Sequence, residues 1–252
     1  MFVVQPVRDR DLPFVPTAIA GLVAANRILS RENVVDAYGH VSVRHPDHPQ
    51  RFLLSRARAP EAIEADDIME FGFDGEPVDA RGQRPYLERF IHAAIFTARP
   101  DVQSVVHSHS RDVIPFGITG ATLRPVMHTC ACIGFDVPVW DTQPKFGDTD
   151  MLVSNMAMGH DLAARLGANT TALMRGHGSV AVGASLREAV HTAVSLNLNA
   201  EFQIKAAALG RITFLSKGEV DKVNGGQRPY VGVERAWEYW CLRAGFPYRQ
   251  LG

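Results

Sequence analysis

Apolar residues recur every three or four positions from Thr17 to Ser30, which predicts an opening helix that Arg31-Glu32-Asn33 leads out of. Val41-Ser42-Val43-Arg44 alternates instead. After the turn-rich run His45-Pro46-Asp47-His48-Pro49, Arg51 to Ser55 predicts a second strand, so a helix is followed by a hairpin. Asp66 to Phe71 reads as a short strand, and Asp74-Gly75 as a turn. Helical spacing returns over Tyr86 to Ala98, where Leu87, Phe90, Ile91, Ala94 and Ile95 share one face and Arg99-Pro100 closes it. Val102 to Ser110 predicts a buried strand, Pro138 to Trp140 a short one and Met151 to Leu166 an amphipathic helix. Thr171 to Met174 predicts a strand ending at Arg175-Gly176-His177-Gly178, and Val180 to Gly183 resumes it. The longest helical pattern is Ala184 to Leu209, with Ser185 placed to cap it and Glu188 to complete a capping box. A last helix, about Glu234 to Ala244, carries Trp237, Trp240 and Cys241 on adjacent turns. No repeat, low-complexity tract or linker interrupts the chain. One domain over residues 1–252 is expected, with a C-terminal helical segment from about residue 230.

Charge removes several classes of function. The 252 residues hold 26 Lys and Arg against 27 Asp and Glu, a formal net charge of −1, with no long basic block to grip a phosphate backbone. No nucleic-acid partner is expected. No stretch approaches the roughly 18 apolar residues of a membrane span, and the apolar start Met1 to Val4 runs at once into Gln5, Arg8, Asp9 and Arg10. Cys130, Cys132 and Cys241 offer neither a disulfide framework nor a two-pair zinc knuckle. A soluble, cytoplasmic protein is expected. The compositional feature that remains is ten histidines.

His107-Ser108-His109 ends a predicted strand, whose period of two points both imidazoles to one face. Gly176-His177-Gly178 ends another, and its glycines let the backbone turn closely around a site, so His177 can join them. Three imidazoles at one point describe a catalytic metal site with open positions, whereas structural zinc uses four closed, Cys-rich ligands. A His-x-His pair is also common as an ordinary satisfied or surface pair. Glu88 strengthens the metal reading, because a helix-turn-strand unit returns the strand end beside the first turn of the helix, where a carboxylate can ligate metal or shuttle a proton.

In this order, the opening helix, Tyr38-Gly39-His40-Val41-Ser42-Val43-Arg44, the Glu88 helix, Val105-Val106-His107-Ser108-His109 and Leu173-Met174-Arg175-Gly176-His177-Gly178 resemble the class II aldolase/adducin family, from about residue 17 to 210. The resemblance implies a three-layer α/β/α fold around a central, mostly antiparallel sheet. It implies a divalent metal held by His107, His109 and His177, with Glu88 as acid/base residue or fourth ligand. It also implies a homo-oligomer, a tetramer with active sites between subunits, for which the aromatic segments Trp237 to Trp240 and Phe246 to Tyr248 would suit a contact.

Departures from the family pattern direct the choice of substrate. Its sugar-phosphate aldolases carry a Gly-Asn-x-Ser turn, a Ser-Gly loop and a Ser-Ser pair that hold the phosphate. Here stand Gly39-His40-Val41-Ser42, Ser55-Arg56-Ala57-Arg58-Ala59-Pro60 and Arg84-Pro85-Tyr86-Leu87. Guanidiniums, an imidazole and a phenol replace most of that cradle, groups that take carboxylates in bidentate fashion and stack on planar rings. The expected substrate is a small carboxylate, bound by Arg56, Arg58, Arg84, Tyr86, Ser42 and His128. The expected activity is a metal-dependent carbon–carbon lyase, foremost a decarboxylase of a hydroxylated aromatic or heteroaromatic dicarboxylate, with Glu88 and then His40 as the proton-transfer candidates. Retro-aldol cleavage of an unphosphorylated hydroxy-keto acid is the alternative, and a non-catalytic adducin-like module is the alternative outside enzymes. Mn2+, Zn2+, Co2+ or Fe2+ would suit the donor set. His92, one turn after Glu88, reads first as a helix-surface residue, and Cys130 and Cys132 as core of a buried strand.

Overall fold

A computed structural model describes residues 14–225 and 228–246. They form, in chain order, α1 (Phe14–Arg31), β1 (His40–Arg44), β2 (Arg51–Ser55), β3 (Ile68–Gly72), α2 (Arg89–Ala98), β4 (Ser104–Ser108) and α3 (Ile114–Ile118). Then follow β5 (Val139–Trp140), α4 (Gln143–Phe146), α5 (Met156–Leu166), β6 (Thr171–Met174), β7 (Gly178–Gly183), α6 (Leu186–Leu209), α7 (Lys217–Asn224) and α8 (Arg228–Arg243). The strands make one sheet in the order β3-β2-β1-β4-β7-β6-β5, in which only the short β5–β6 pair is parallel.

Strand alternation decides which side chains meet which helices. Val41, Leu53, Val106 and Ala181 face a layer of α1, α6 and α8, where they join Leu22, Ile28, Val190 and Trp237. Their neighbours Phe52, Leu54, Val105 and Val182 face α2 and α5 on the other side, with Ile91, Ile95 and Leu162. The expected three-layer α/β/α architecture is therefore present, with a mostly antiparallel sheet buried on both faces. Each fully buried Phe, Leu or Ile contributes on the order of 1.5–3 kcal/mol to this core. Because Val41 and Val106 point toward α1, the period of two sends His40, Ser42 and His107 to the α2 side. The register sets His40 directly opposite His107.

Several local expectations change. The helix expected from Met151 begins only at Met156, because Asn155 takes the cap position and its side chain accepts the Met158 N–H at 3.0 Å. Residues 151–155 are thereby released as an irregular segment in which Met151 has φ 67°. The capping box expected at Ser185 and Glu188 forms by half. Ser185 accepts the Glu188 N–H, but the Glu188 carboxylate accepts from Ala184 instead. A complete box is at Ser216 and Glu219. Cys130 and Cys132 lie in a 3-10 helix, His128–Ile133, and not in a strand. Trp237 and Trp240 are buried in the core beneath α1 and α6, so among the described residues the large apolar side chains that α8 leaves exposed are Tyr239 and Leu242. Met1 to Arg10, Pro247 and Tyr248 lie outside the described residues. Among the described residues, no helix is long and apolar enough to cross a membrane.

Candidate metal centre

The end of β4, the β6–β7 hairpin turn and the start of α2 meet at one point. His107 is the fourth residue of β4 and His109 follows its end, while His177 occupies the turn between β6 and β7. Glu88 stands at the N-cap position of α2, just before its first turn. Two glycines make this convergence possible. A Cβ on Gly178 would lie 2.1 Å from the Ser108 carbonyl oxygen and 3.0 Å from the His109 ring, so β7 starts this close to β4 only without one. Gly39 has φ +100°, and a Cβ there would meet Val35 at 2.6 Å and the His107 carbonyl oxygen at 3.0 Å.

The Nε2 atoms of His107 and His177 each lie 3.0 Å from Nε2 of His109. Glu88 Oε2 is 3.5 Å from His107 Nε2 and 3.4 Å from His177 Nε2. The opposite ring nitrogens determine what this arrangement can hold. His107 Nδ1–H donates to the Ser179 carbonyl at 3.1 Å, and His177 Nδ1–H to the Met151 carbonyl at 2.9 Å. With those protons assigned, the neutral rings present Nε2 lone pairs to one another and to a carboxylate. Such a cluster is repulsive by itself and is made cohesive by a cation at its centre. Three imidazole nitrogens and one carboxylate oxygen fit a divalent metal with open coordination positions. Without a metal a proton takes the cation's place: burial pushes the Glu88 carboxyl up, but attraction and hydrogen bonds from protonated His107 and His177 outweigh it and hold Glu88 well below the carboxylate range. Burial likewise lowers His177, and its hydrogen bond to Glu88 more than restores it. His109 is lowered to about 4 by burial and by its two imidazole neighbours.

The segment freed from α5 braces this centre. Besides the Met151 carbonyl on His177, the Val153 N–H donates to Glu88 Oε1 at 3.1 Å, leaving Oε2 for the cluster. Thr149 and Asp150 fix the bend by accepting the N–H groups of Met151 and Leu152 at 2.9 and 3.1 Å. A left-handed φ at a side chain as large as methionine costs on the order of 1–2 kcal/mol, and here it aims the carbonyl that orients His177. The sequence signal for this strap was the run of side-chain turn formers, Asp148 to Asp150, ending at the cap residue Asn155.

His40, expected as a proton-transfer residue, is buried beside the centre with its ring 5.0 Å from that of His107. His92 is fully buried and not on a helix surface, because α2 turns that face toward β1. Its Nε2 is 2.6 Å from His40 Nδ1, and its Nδ1 is 2.6 Å from the Ser42 hydroxyl. The spacing that could have shown this is i to i+4 from Glu88 together with the two-residue period of His40 and Ser42. Burial first, then the positive charge of a neighbouring imidazole, holds His92 down at about 3. Ser42 is thus engaged with His92.

The expected carboxylate-binding residues divide into three groups. Arg56 Nε and Arg58 Nη1 converge on the buried carboxylate of Asp67, at 2.5 and 2.6 Å. The Tyr86 hydroxyl donates to the Arg58 carbonyl, and its ring lies 4.5 Å from that of His40, so the phenol ties this loop to the site through its ring. Arg84 is exposed, and among the described residues no ion pair engages it. His128 is also exposed but lines a different cavity, about 980 Å3, with Thr129, Cys132, His191, Lys222 and Arg235. None of the four clustered side chains borders that cavity.

Comparison with known proteins accords with this geometry. A model of the Class II Aldolase and Adducin N-terminal domain matches residues 20–204, and the chain belongs to that family. It is 37% identical over 242 residues to the decarboxylase tropJ of Talaromyces stipitatus, covering 86% of this chain and 90% of that protein. It is 29% identical over 199 residues to a 3,4-dihydroxyphthalate decarboxylase of Terrabacter sp., covering 74% and 80%. A solved aldolase II superfamily protein from Pseudomonas syringae matches with a TM-score of 0.76 at 25% identity, over 95% of this chain and 96% of that one. The chain is an enzyme of the lyase type and stands with the decarboxylase branch of its family.

Proposed function

We propose that this enzyme is a divalent-metal-dependent decarboxylase of a hydroxylated aromatic or heteroaromatic carboxylic acid. The observation that carries the reading is the convergence of His107, His109, His177 and Glu88 in a site whose phosphate-binding hydroxyls are replaced or already engaged. When bound, the metal would supply a Lewis acid for a hydroxyl and an ortho carboxylate, favouring the electron-rich ring left as CO2 departs. The protein's own groups do the rest. Glu88, ionised at rest, is placed to relay a proton taken up from water to the ring carbon through Oε2 when that oxygen is not bound to the metal, while the Val153 N–H fixes Oε1. His40, whose Nδ1 is taken by His92, has Nε2 left as a second proton carrier. A substrate carboxylate that does not engage the metal calls for a guanidinium with free N–H groups, which Arg56 and Arg58, shared by Asp67, offer only in part. Leu87, an exposed apolar side chain next to Glu88, suits a planar ring better than a polyhydroxylated chain.

The names of the two decarboxylase relatives support the same reading, and the second of them names a dihydroxylated aromatic diacid. Mn2+, Zn2+, Co2+ and Fe2+ remain the candidate ions. We place the enzyme in a homo-oligomer, a tetramer in which His128 would reach a substrate only from a neighbouring copy. The test is CO2 release by protein loaded with Mn2+, Zn2+ or Co2+. Release from hydroxyphthalate-like or hydroxypyridine-dicarboxylate acids is the expected result. Cleavage of a hydroxy-keto acid with no CO2 from any aromatic acid would replace decarboxylation by retro-aldol chemistry.

A further inference from the structure

The four ligand side chains are not equally accessible. The side chains of His107, His177 and Glu88 are only 0%, 7% and 10% exposed; counted as whole residues His109 and His177 are both partly exposed, and His109 is the one whose ring is backed by an exposed aromatic, Tyr38. A substrate therefore approaches past His109, and the groups around that ring form the entrance.

Two segments supply those groups. From the turn before β1, the Tyr38 ring stacks on His109, with centroids 6.0 Å apart and planes inclined by 27°. Tyr38 is 67% exposed, so this large aromatic ring covers a ligand without building the core. The turn is held by the Tyr38 N–H donating to Asp36 Oδ1 at 3.0 Å and by the tight left-handed Gly39. From the segment after His109 comes Arg111. Ser110 beside it is anchored by its buried hydroxyl donating to Asn197 Oδ1. The Arg111 guanidinium is 88% exposed, and its one ion pair among the described residues is a long 3.7 Å contact with the exposed Asp36. A pair of this length and exposure contributes little and leaves most of the guanidinium's N–H groups free for a bidentate carboxylate. By contrast, Arg56 and Arg58 already share the buried Asp67.

We infer that Tyr38 and Arg111 form a specificity clamp at the His109 edge, in which Tyr38 covers the face of a planar substrate and Arg111 receives a carboxylate that does not engage the metal. The inference rests on the decarboxylase reading and deepens it, because it makes the substrate an aromatic diacid and assigns its second anion. Both residues act through binding, and neither is required for the proton transfer assigned to Glu88.

The test measures binding by calorimetry to protein loaded with a divalent metal, using a dihydroxyphthalate and the matching dihydroxybenzoate that lacks the second carboxylate. Metal content is determined for every variant, so that lost affinity is not mistaken for lost metal. Arg111→Gln is expected to weaken the diacid about tenfold or more and leave the monoacid within about twofold, because one charge-assisted pair is removed. Tyr38→Ala is expected to weaken both acids about tenfold, and Tyr38→Phe neither, because ring contact and not the hydroxyl is used. Equal effects of Arg111→Gln on both acids, or none on the diacid, would overturn the clamp while leaving the decarboxylase reading in place. Wild-type protein that binds neither acid would overturn both.

Discussion

Among the described residues two histidine clusters with a glutamate stand together, and in only one do free imidazole nitrogens converge. At the centre, backbone carbonyls of Ser179 and Met151 take the Nδ1 protons of His107 and His177, and the Nε2 lone pairs converge with Glu88. Where the β1–β2 connection meets β3, His45, His48 and Glu70 are as closely grouped. There the polarity is reversed. His45 Nδ1 accepts the N–H groups of Asp47 and His48, both at 3.1 Å, which puts the ring proton on Nε2, 3.7 Å from Glu70. Glu70 in turn is paired with Arg51 at 2.8 Å. That imidazole staples a loop and has no lone pair left for a metal. The nitrogen claimed by the backbone, more than the number of histidines gathered, therefore decides what a cluster can bind.

The largest test of this contrast exchanges the two clusters as targets. His107→Ala should lower divalent-metal affinity by about 100-fold or more and abolish CO2 release, while His45→Ala should keep the metal and lose about 1–3 kcal/mol of stability through its two unpartnered N–H groups. Metal analysis and thermal unfolding of the two variants read both effects. Equal metal loss in His45→Ala would end the distinction. Next in size, Glu88→Gln should lower kcat by roughly 10²–10⁴ because it removes a proton carrier, with a smaller effect on metal content since three imidazoles remain. An unchanged kcat would leave Glu88 as a ligand alone.

The smallest effect is on acid stability. His92, with a folded-state pKa of about 3 against the ordinary 6.5, is buried neutral. Its contribution is fully present above pH 6.5 and is lost as pH falls toward 3. His45 is lowered in the same direction, chiefly by burial. The melting temperature of metal-free protein should therefore fall between these pH values, and His92→Phe should flatten that fall more than His45→Ala does. The reverse order would place the buried charge cost on the β1–β2 connection.

Much of the scaffold was legible along the chain. The alternation in Val41 to Arg44 and Arg51 to Ser55 identified a hairpin, and the spacing in Tyr86 to Ala98 and Ala184 to Leu209 identified helices, because one-sided burial imposes these periods. His107, His109, His177 and Glu88 were legible for the same reason, since each sits at the end of a regular element whose direction is fixed by its period. Met151 to Val153 was not, because its apolar residues imitate the helix that follows and its role lies in a carbonyl and an N–H, which every residue possesses. His92 was misplaced because a helix does not announce which of its faces a sheet will cover.

Periodicity and donor chemistry are local properties, so the elements, their apolar faces and the residue types able to hold a metal could be read along the chain. Long-range packing settled which nitrogen of each imidazole is free, that Asp67 engages Arg56 and Arg58, and that Tyr38 stacks on His109. Those outcomes depend on hydrogen bonds between residues as far apart as His107 and Ser179, or His177 and Met151, and no local pattern specifies a partner across such a separation.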